Sequence, residues 1–273
     1  MRDYDTLDVG IVDGDVFRIS FDRPDEMNAT NGKMHRELTH VFKDAYESDT
    51  RVVLLTGNGD VFSAGGDIEG MKERIENPRQ RPFTESLREG ETIIRDMINL
   101  EKPLIAKVNG HATGLGATLA LFCDLVYMEE GAKIGDPHVK VGYVAGDGGA
   151  VIWPLLTNVH KAKELLMTGE LISASEAEEI GLINYAVPSE ALDDRVDEMI
   201  DDLATGPQLA MRYTKMAINN WIEDGVNNIL RESLALEGIS SHQPDHEEAV
   251  DAFLEDRTPN FPSARDPDAE SED

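Results

Sequence analysis

Cysteine is nearly absent from this 273-residue chain: Cys123 stands alone, which excludes an internal disulfide and any cysteine cluster for zinc or iron–sulfur. A lone thiol fits a reducing compartment, and the expected location is the cytoplasm. Long apolar runs are missing too. None approaches the roughly 20 residues that span a bilayer, and the opening MRDYDTLDVG lacks a signal peptide's apolar stretch, so no membrane role is expected. Basic residues are scarce: 25 Lys plus Arg stand against 54 Asp plus Glu, for a net charge of −29. That deficit argues against nucleic acid as a partner, because phosphate backbones demand positive patches. A surface this acidic repels itself at low salt, and its field fades over a Debye length of only about 3 Å at 1 M salt. The composition reads as adaptation to a salt-rich cytoplasm.

What is present is a globular pattern, with apolar residues at 40% spread evenly along the chain. VGIV and VFRISF flank Asp13-Gly14-Asp15 and predict a hairpin over 8–22. Met34, Leu38, Val41, Phe42 and Ala45 recur at helical spacing, with Thr30 or Asn31 as the N-cap. RVVLLT, PLIAKV and CDLVYM read as buried strands, the first two followed by glycine-rich turns; an amphipathic helix over 84–100 lies between them. Strand, loop and helix in alternation describe an α/β core over 1–188. Helical patterns then fill 189–262, at 190–204, 208–223, 227–237 and 246–255. Residues 263–273, rich in acid and poor in apolar groups, predict a disordered tail.

Two glycine loops carry the chemical argument: FSAGGDI, Phe62–Ile68, and NGHATGLGATLA, Asn109–Ala120, each directly after a buried strand. Gly65, Gly66, Gly114 and Gly116 allow backbone conformations other residues resist and let a ligand approach the main chain. The second loop runs into an apolar helix, whose first N–H groups lack partners and favour negative charge. Either loop alone is equally an ordinary turn. Neither is a P-loop or a dinucleotide fingerprint.

Together, FSAGGDI and KPLIAKVNGHATGLGATLALFCDLVYM resemble the two oxyanion-hole segments of the crotonase (enoyl-CoA hydratase/isomerase) superfamily. The resemblance runs from DRPDEMNA through GDPHVKVGYVAGDGGAVIWPLL and LLMTGELISASEAEEIGLINYAV to DHEEAVDAFLEDRTPNF, in family order. It implies an α/β fold, a spiral of stacked ββα units with a C-terminal helical region, assembled as a homotrimer or hexamer. It implies an acyl-CoA substrate, coenzyme A entering as part of that substrate, and no separate cofactor or metal. By position, the N–H groups of Gly66 and Leu115 would form the oxyanion hole, with Ala64, Asp67, Ile68, Gly114, Thr118 and Tyr143 around the substrate.

The resemblance also has a gap. Where a typical hydratase carries two glutamates, this chain has Thr118 and His138. His138 is followed nine residues later by Asp147, through a glycine-rich stretch able to fold back. A carboxylate on one ring nitrogen fixes the tautomer and raises the basicity of the other, so His138 and Asp147 are the expected catalytic pair. The alternative is structural: His138 in a loop hydrogen bond and Asp147 capping the helix GGAVIWPLL. PHVKVGYVAGDGGAVIWP also resembles the oxocamphor hydrolase branch, which cleaves a carbon–carbon bond in diketones. Thus hydration, isomerisation, carbon–carbon cleavage and a non-catalytic CoA-binding module are all open. Arg23 and Lys33 are candidates for CoA phosphates. His111 is expected to be structural, and His160, His242 and His246 to face solvent.

Overall fold

A computed structural model describes residues 2–77 and 82–264. The hairpin forms as its pattern predicts. β1 (Leu7–Val12) pairs antiparallel with β2 (Val16–Phe21), and the turn carries Asp13 and Gly14 through positive φ. In α1 (Gly32–Glu47), Asn31 is the N-cap, its side chain accepting from the Lys33 and Met34 amides at 3.0 and 2.9 Å. Its five predicted apolar residues, Met34 to Ala45, are all buried.

From there the chain climbs as a spiral. β3 (Val52–Gly57), β4 (Leu104–Val108), β6 (Leu125–Glu129) and β9 (Tyr185–Val187) add in parallel to β2, giving a six-stranded sheet in the order β1-β2-β3-β4-β6-β9. Three short strands form a second sheet, β5 (Ala112–Thr113) after β4, β7 (Lys133–Gly135) after β6 and β8 (Leu171–Ser173) before β9, in the order β5-β7-β8. Helices α2 (Ile68–Glu76), α3 (Phe83–Asn99), α4 (Leu115–Leu121), α5 (Gly149–Leu156), α6 (Val159–Thr168) and α7 (Ala174–Glu179) supply the crossovers that parallel strands require. The mixed α/β spiral with a helical C-terminal region is as expected.

The helical region is α8 (Leu192–Thr205), α9 (Gln208–Gly225), α10 (Arg231–Ser240) and α11 (Pro244–Leu254). The helices expected at 208–223 and 227–237 are in fact continuous through a π-helical turn, Val226–Leu230. Gly225 stays helical because its bare face receives Val151: a Cβ there would lie 3.1 Å from Val151 Cγ1. Val226, Leu230 and Leu234 join the same core as β2–β4 and α3–α5, so this region closes the core rather than standing apart. Of the expected acidic tail, 263–273, residues 265–273 lie outside the described residues.

Candidate active site

The two glycine loops meet edge to edge. Ser63 N–H donates to the His111 carbonyl at 3.0 Å and Thr113 N–H to the Ser63 carbonyl at 2.9 Å, extending the short sheet by one bridge. Gly65 (φ +81°) and Gly114 (φ +53°) both take left-handed conformations that an L side chain resists. At Gly65 the fit is tight, since a Cβ would lie 2.6 Å from the Thr113 carbonyl oxygen. The consequence is a particular set of free amides. The N–H groups of Gly65, Asp67 and Gly114 are engaged, by Ser63 Oγ at 3.2 Å, the Thr30 carbonyl at 3.3 Å and the Gly135 carbonyl at 3.0 Å. Those of Gly66 and Leu115 donate to no acceptor among the described residues. Leu115 opens α4, so helix geometry itself leaves its N–H unpaired. Gly66 and Leu115 line one cavity, and His138, Tyr143 and Asp147 line it with them.

His138 sits in a short 3₁₀ turn after β7, and its ring is held at both nitrogens. Nδ1 bonds Asp136 Oδ1, and Nε2 lies 3.4 Å from Asp147 Oδ2. All three residues are buried. Asp147 is steadied from behind by Thr118, whose hydroxyl donates to Oδ1 at 3.2 Å. Burial disfavours an imidazolium, but the Asp136 and Asp147 charges outweigh it and hold the His138 pKa well above its usual value. Desolvation raises Asp147 against the pull of His138. The imidazole thus sits between two carboxyl groups, one at each ring nitrogen. Asp136, His138 and Asp147 are close enough together to suggest metal ligands. The two ring nitrogens diverge, however, so an ion on one is turned away from the carboxylate on the other.

Sequence reasoning placed the pair correctly in space but missed Asp136, two residues before His138 and the nearer carboxylate. An i, i+2 acid beside a histidine in GDPH was the available signal. It also missed Glu237, which reaches the cavity from α10. Its Oε2 is buried without a partner. Desolvation, reinforced by Asp147 and Asp136, pushes its pKa up to about 8. A second histidine–carboxylate pair, His35 and Glu89 at 2.6 Å, ties α1 to α3, with His35 in the cavity lining.

Other expectations change. Ala64, Asp67, Ile68, Gly114 and Thr118 do not line this cavity. Thr118 is fully buried behind Asp147, and Gly114 caps α4 beside His138, its would-be Cβ 3.5 Å from His138 Cε1. Asp67 caps α2 and pairs with Arg23 at 3.3 Å, while Lys33 pairs with Asp5; both candidate phosphate cations thus have carboxylate partners. Asp147 does not cap α5, whose N-cap is Gly148 without a side-chain bond. His246 is buried, not solvent-facing: Nδ1 lies 2.6 Å from the Val141 carbonyl and the ring stacks 4.1 Å from Tyr143. Its position on α11, packed against Tyr143 of the cavity lining, is a tertiary fact that helix periodicity does not carry. His111 serves structure, its Nδ1 accepting from the Lys133 amide at 2.9 Å.

The family model for enoyl-CoA hydratase/isomerase matches residues 12–264. The chain belongs to this family. Among relatives, this family member is 32% identical over 251 residues to the 1,2-epoxyphenylacetyl-CoA isomerase of Escherichia coli, covering 92% of this chain and 96% of that one. Among solved structures, an enoyl-CoA hydratase/isomerase from Mycobacterium paratuberculosis superposes with a TM-score of 0.86 at 34% identity, covering 92% and 99%. A β-diketone hydrolase from the cyanobacterium Anabaena, bound to (S)-3-oxocyclohexyl acetic acid, superposes with a TM-score of 0.80 at 30% identity, covering 88% and 95%.

The Glu237 carboxyl also makes a stability prediction. Its folded pKa of about 8 lies above the ordinary carboxyl value of 4.5. Between those values the unfolded chain gives up a proton that the folded chain retains, so this group costs stability progressively as pH rises toward 8. Glu237→Gln is expected to match wild type near pH 4 and to melt higher at pH 8, by the about 1–3 kcal/mol of an unpaired buried polar group. Equal melting curves at both pH values would show that the carboxyl is solvated in solution.

Proposed function

We propose that this chain acts on an acyl-CoA thioester through an enolate, adding water across an enoyl double bond or moving that bond. The observation that carries the reading is the pair of unengaged N–H groups, Gly66 and Leu115, on the wall that also presents His138. Such donors, aimed where an oxyanion develops, are each worth about 10² to 10³ in rate. Asp136 takes Nδ1 and fixes the ring, leaving Nε2 and Asp147 to share a proton across 3.4 Å. That unit accepts a proton from water or from the substrate carbon. Glu237, still protonated at neutral pH, supplies the second proton, to the α-carbon of the enolate. The His–Asp unit and Glu237 thus stand where two glutamates would be expected.

The deciding experiment is turnover of crotonyl-CoA in molar KCl by wild type and His138→Ala. Hydration lost in the variant supports the reading. Binding of CoA esters without hydration would move it to a second one, hydrolytic carbon–carbon cleavage of a β-diketone or β-keto thioester. In that reaction water adds to one carbonyl, the adjacent carbon–carbon bond breaks, and the electron pair is held as an enolate until protonated. The likeness to the β-diketone hydrolase and the replacement of both glutamates by Thr118 and His138 favour it.

We further propose a homo-oligomer. α9 buries none of its residues within the chain and exposes Leu209, Tyr213, Met216, Ile218 and Trp221, the last at 75%. Apolar side chains exposed around a helix to this extent make it a candidate subunit interface. Sedimentation velocity is expected to give a trimer or hexamer; a monomer at micromolar concentration would remove this reading.

A further inference from the structure

Arg74 takes no part in the chemistry above, yet it stands in the cavity. It lies on α2 two turns beyond the cap at Asp67, about 10 Å along the axis at about 1.5 Å per residue. Helix side chains lean toward the N-terminal end, so the guanidinium leans back toward the Gly66 end of the site. Arg74, Phe83 and Tyr143 line both the reaction cavity and an outer cavity that adjoins it. The cation is half-buried.

Its lack of a counter-charge is unusual in this chain. With 54 acids to 25 bases, carboxylates are plentiful, and Lys72 on the same helix pairs with both Asp251, at 2.6 Å, and Glu76, at 3.7 Å. Arg74 makes no ion pair among the described residues. The groups around it are the Tyr143 hydroxyl, His246 and Glu237. His246 is neutral: desolvation, with the Arg74 charge adding to it, holds its pKa down to about 4. Glu237 keeps its proton below about 8. Glu247 rims the outer cavity and forms no ion pair with Arg74. Met71, Leu87 and Leu234 supply apolar wall in the same cavity as the Gly66–Leu115 amides and this cation. Apolar wall in a cavity that also presents a guanidinium without an ion-pair partner matches a short carbon chain that ends in an anion.

We propose that Arg74 sets the specificity of this site, and that the acyl group it receives carries a carboxylate at the end remote from the thioester. The guanidinium fork suits a carboxylate bidentately, and a half-buried pair is only weakly screened by salt. The proposal rests on the thioester reading above and names its substrate class: a dicarboxylic acyl-CoA of short chain rather than a fatty acyl-CoA.

The test is calorimetric binding of two saturated, unreactive esters, glutaryl-CoA and butyryl-CoA, to the full chain in molar KCl. Wild type is expected to prefer glutaryl-CoA by roughly tenfold or more, the worth of a charge-assisted hydrogen bond. In Arg74→Met the two affinities should converge to within about twofold, with Arg74→Lys keeping part of the preference. The wild-type comparison needs no variant to fold. Butyryl-CoA bound by wild type as tightly as glutaryl-CoA overturns the proposal while leaving the thioester site standing. So does an equal loss for both esters in Arg74→Met, which would place the arginine on a phosphate of coenzyme A. If wild type binds neither ester, the thioester reading fails and this one falls with it.

Discussion

His138→Ala is expected to lower turnover of the chain's substrate by about 10² to 10⁴, the usual contribution of a positioned proton-transfer group. The imidazole bonds Asp136 at one nitrogen and lies beside Asp147 at the other, so its removal breaks the proton unit at its centre. It also leaves two buried carboxylates without their cation. Breaking a buried ion pair by removing one partner costs about 3–5 kcal/mol, so the variant should fold but melt lower. Circular dichroism at the assay temperature separates loss of chemistry from loss of fold. Asp147→Asn preserves shape and the Thr118 contact while removing the proton acceptor. It should cost at least about tenfold in kcat and lower melting less than His138→Ala does, because Asp136 still pairs with the imidazole. Wild-type kcat in either variant would take the histidine pair out of the mechanism, whatever the substrate proves to be.

Gly65→Ala should be the most damaging single methyl in the site. At φ +81° an L residue is strained, and the new Cβ would sit 2.6 Å from the Thr113 carbonyl oxygen, a backbone atom that cannot step aside alone. Left-handed strain costs about 1–2 kcal/mol and overpacking a further 1–3 kcal/mol, so a stability loss of about 2–5 kcal/mol is expected. The chemical effect follows from where the push lands. Gly66 is the next residue in one segment, and Thr113 precedes Gly114 and Leu115 in the other. Moving the segments apart separates the two free amides, and kcat should fall by about 10² or more even where the protein is fully folded. Urea melts and kcat measured on the same sample test both parts. A stable variant with undiminished kcat would mean that these amides do not act together on the substrate.

The long elements were readable because their signals are local. The α1 face of Met34, Leu38, Val41, Phe42 and Ala45 and the all-buried run of β3 follow directly from hydrophobic period. The short strands β5, β7 and β8 have two or three residues each, too few for any period to show, and they exist because neighbouring turns of the spiral hold them. The break expected between α9 and α10 failed for a related reason. Glycine usually interrupts a helix, but Gly225 is kept helical by packing against Val151.

The site divides in the same way. Strand, loop and helix in alternation pointed to an α/β core, and the two glycine loops with the segments after them carried the resemblance that implied the family, the spiral and Gly66, Leu115, His138 and Asp147 as candidates. Only the tertiary structure decided that Asp136 rather than Asp147 holds the nearer side of the imidazole, and that Thr118 serves as a prop for Asp147. It also decided that Glu237, Arg74 and His246 come from helices distant in the chain to line two adjoining cavities, with Arg74 in both. Sequence records backbone preference and period, which act over a few residues. Which charges meet, and which lose their water doing so, depends on contacts between segments about a hundred residues apart, such as Gly146 with Ser233. Such contacts exist only once the chain has folded on itself.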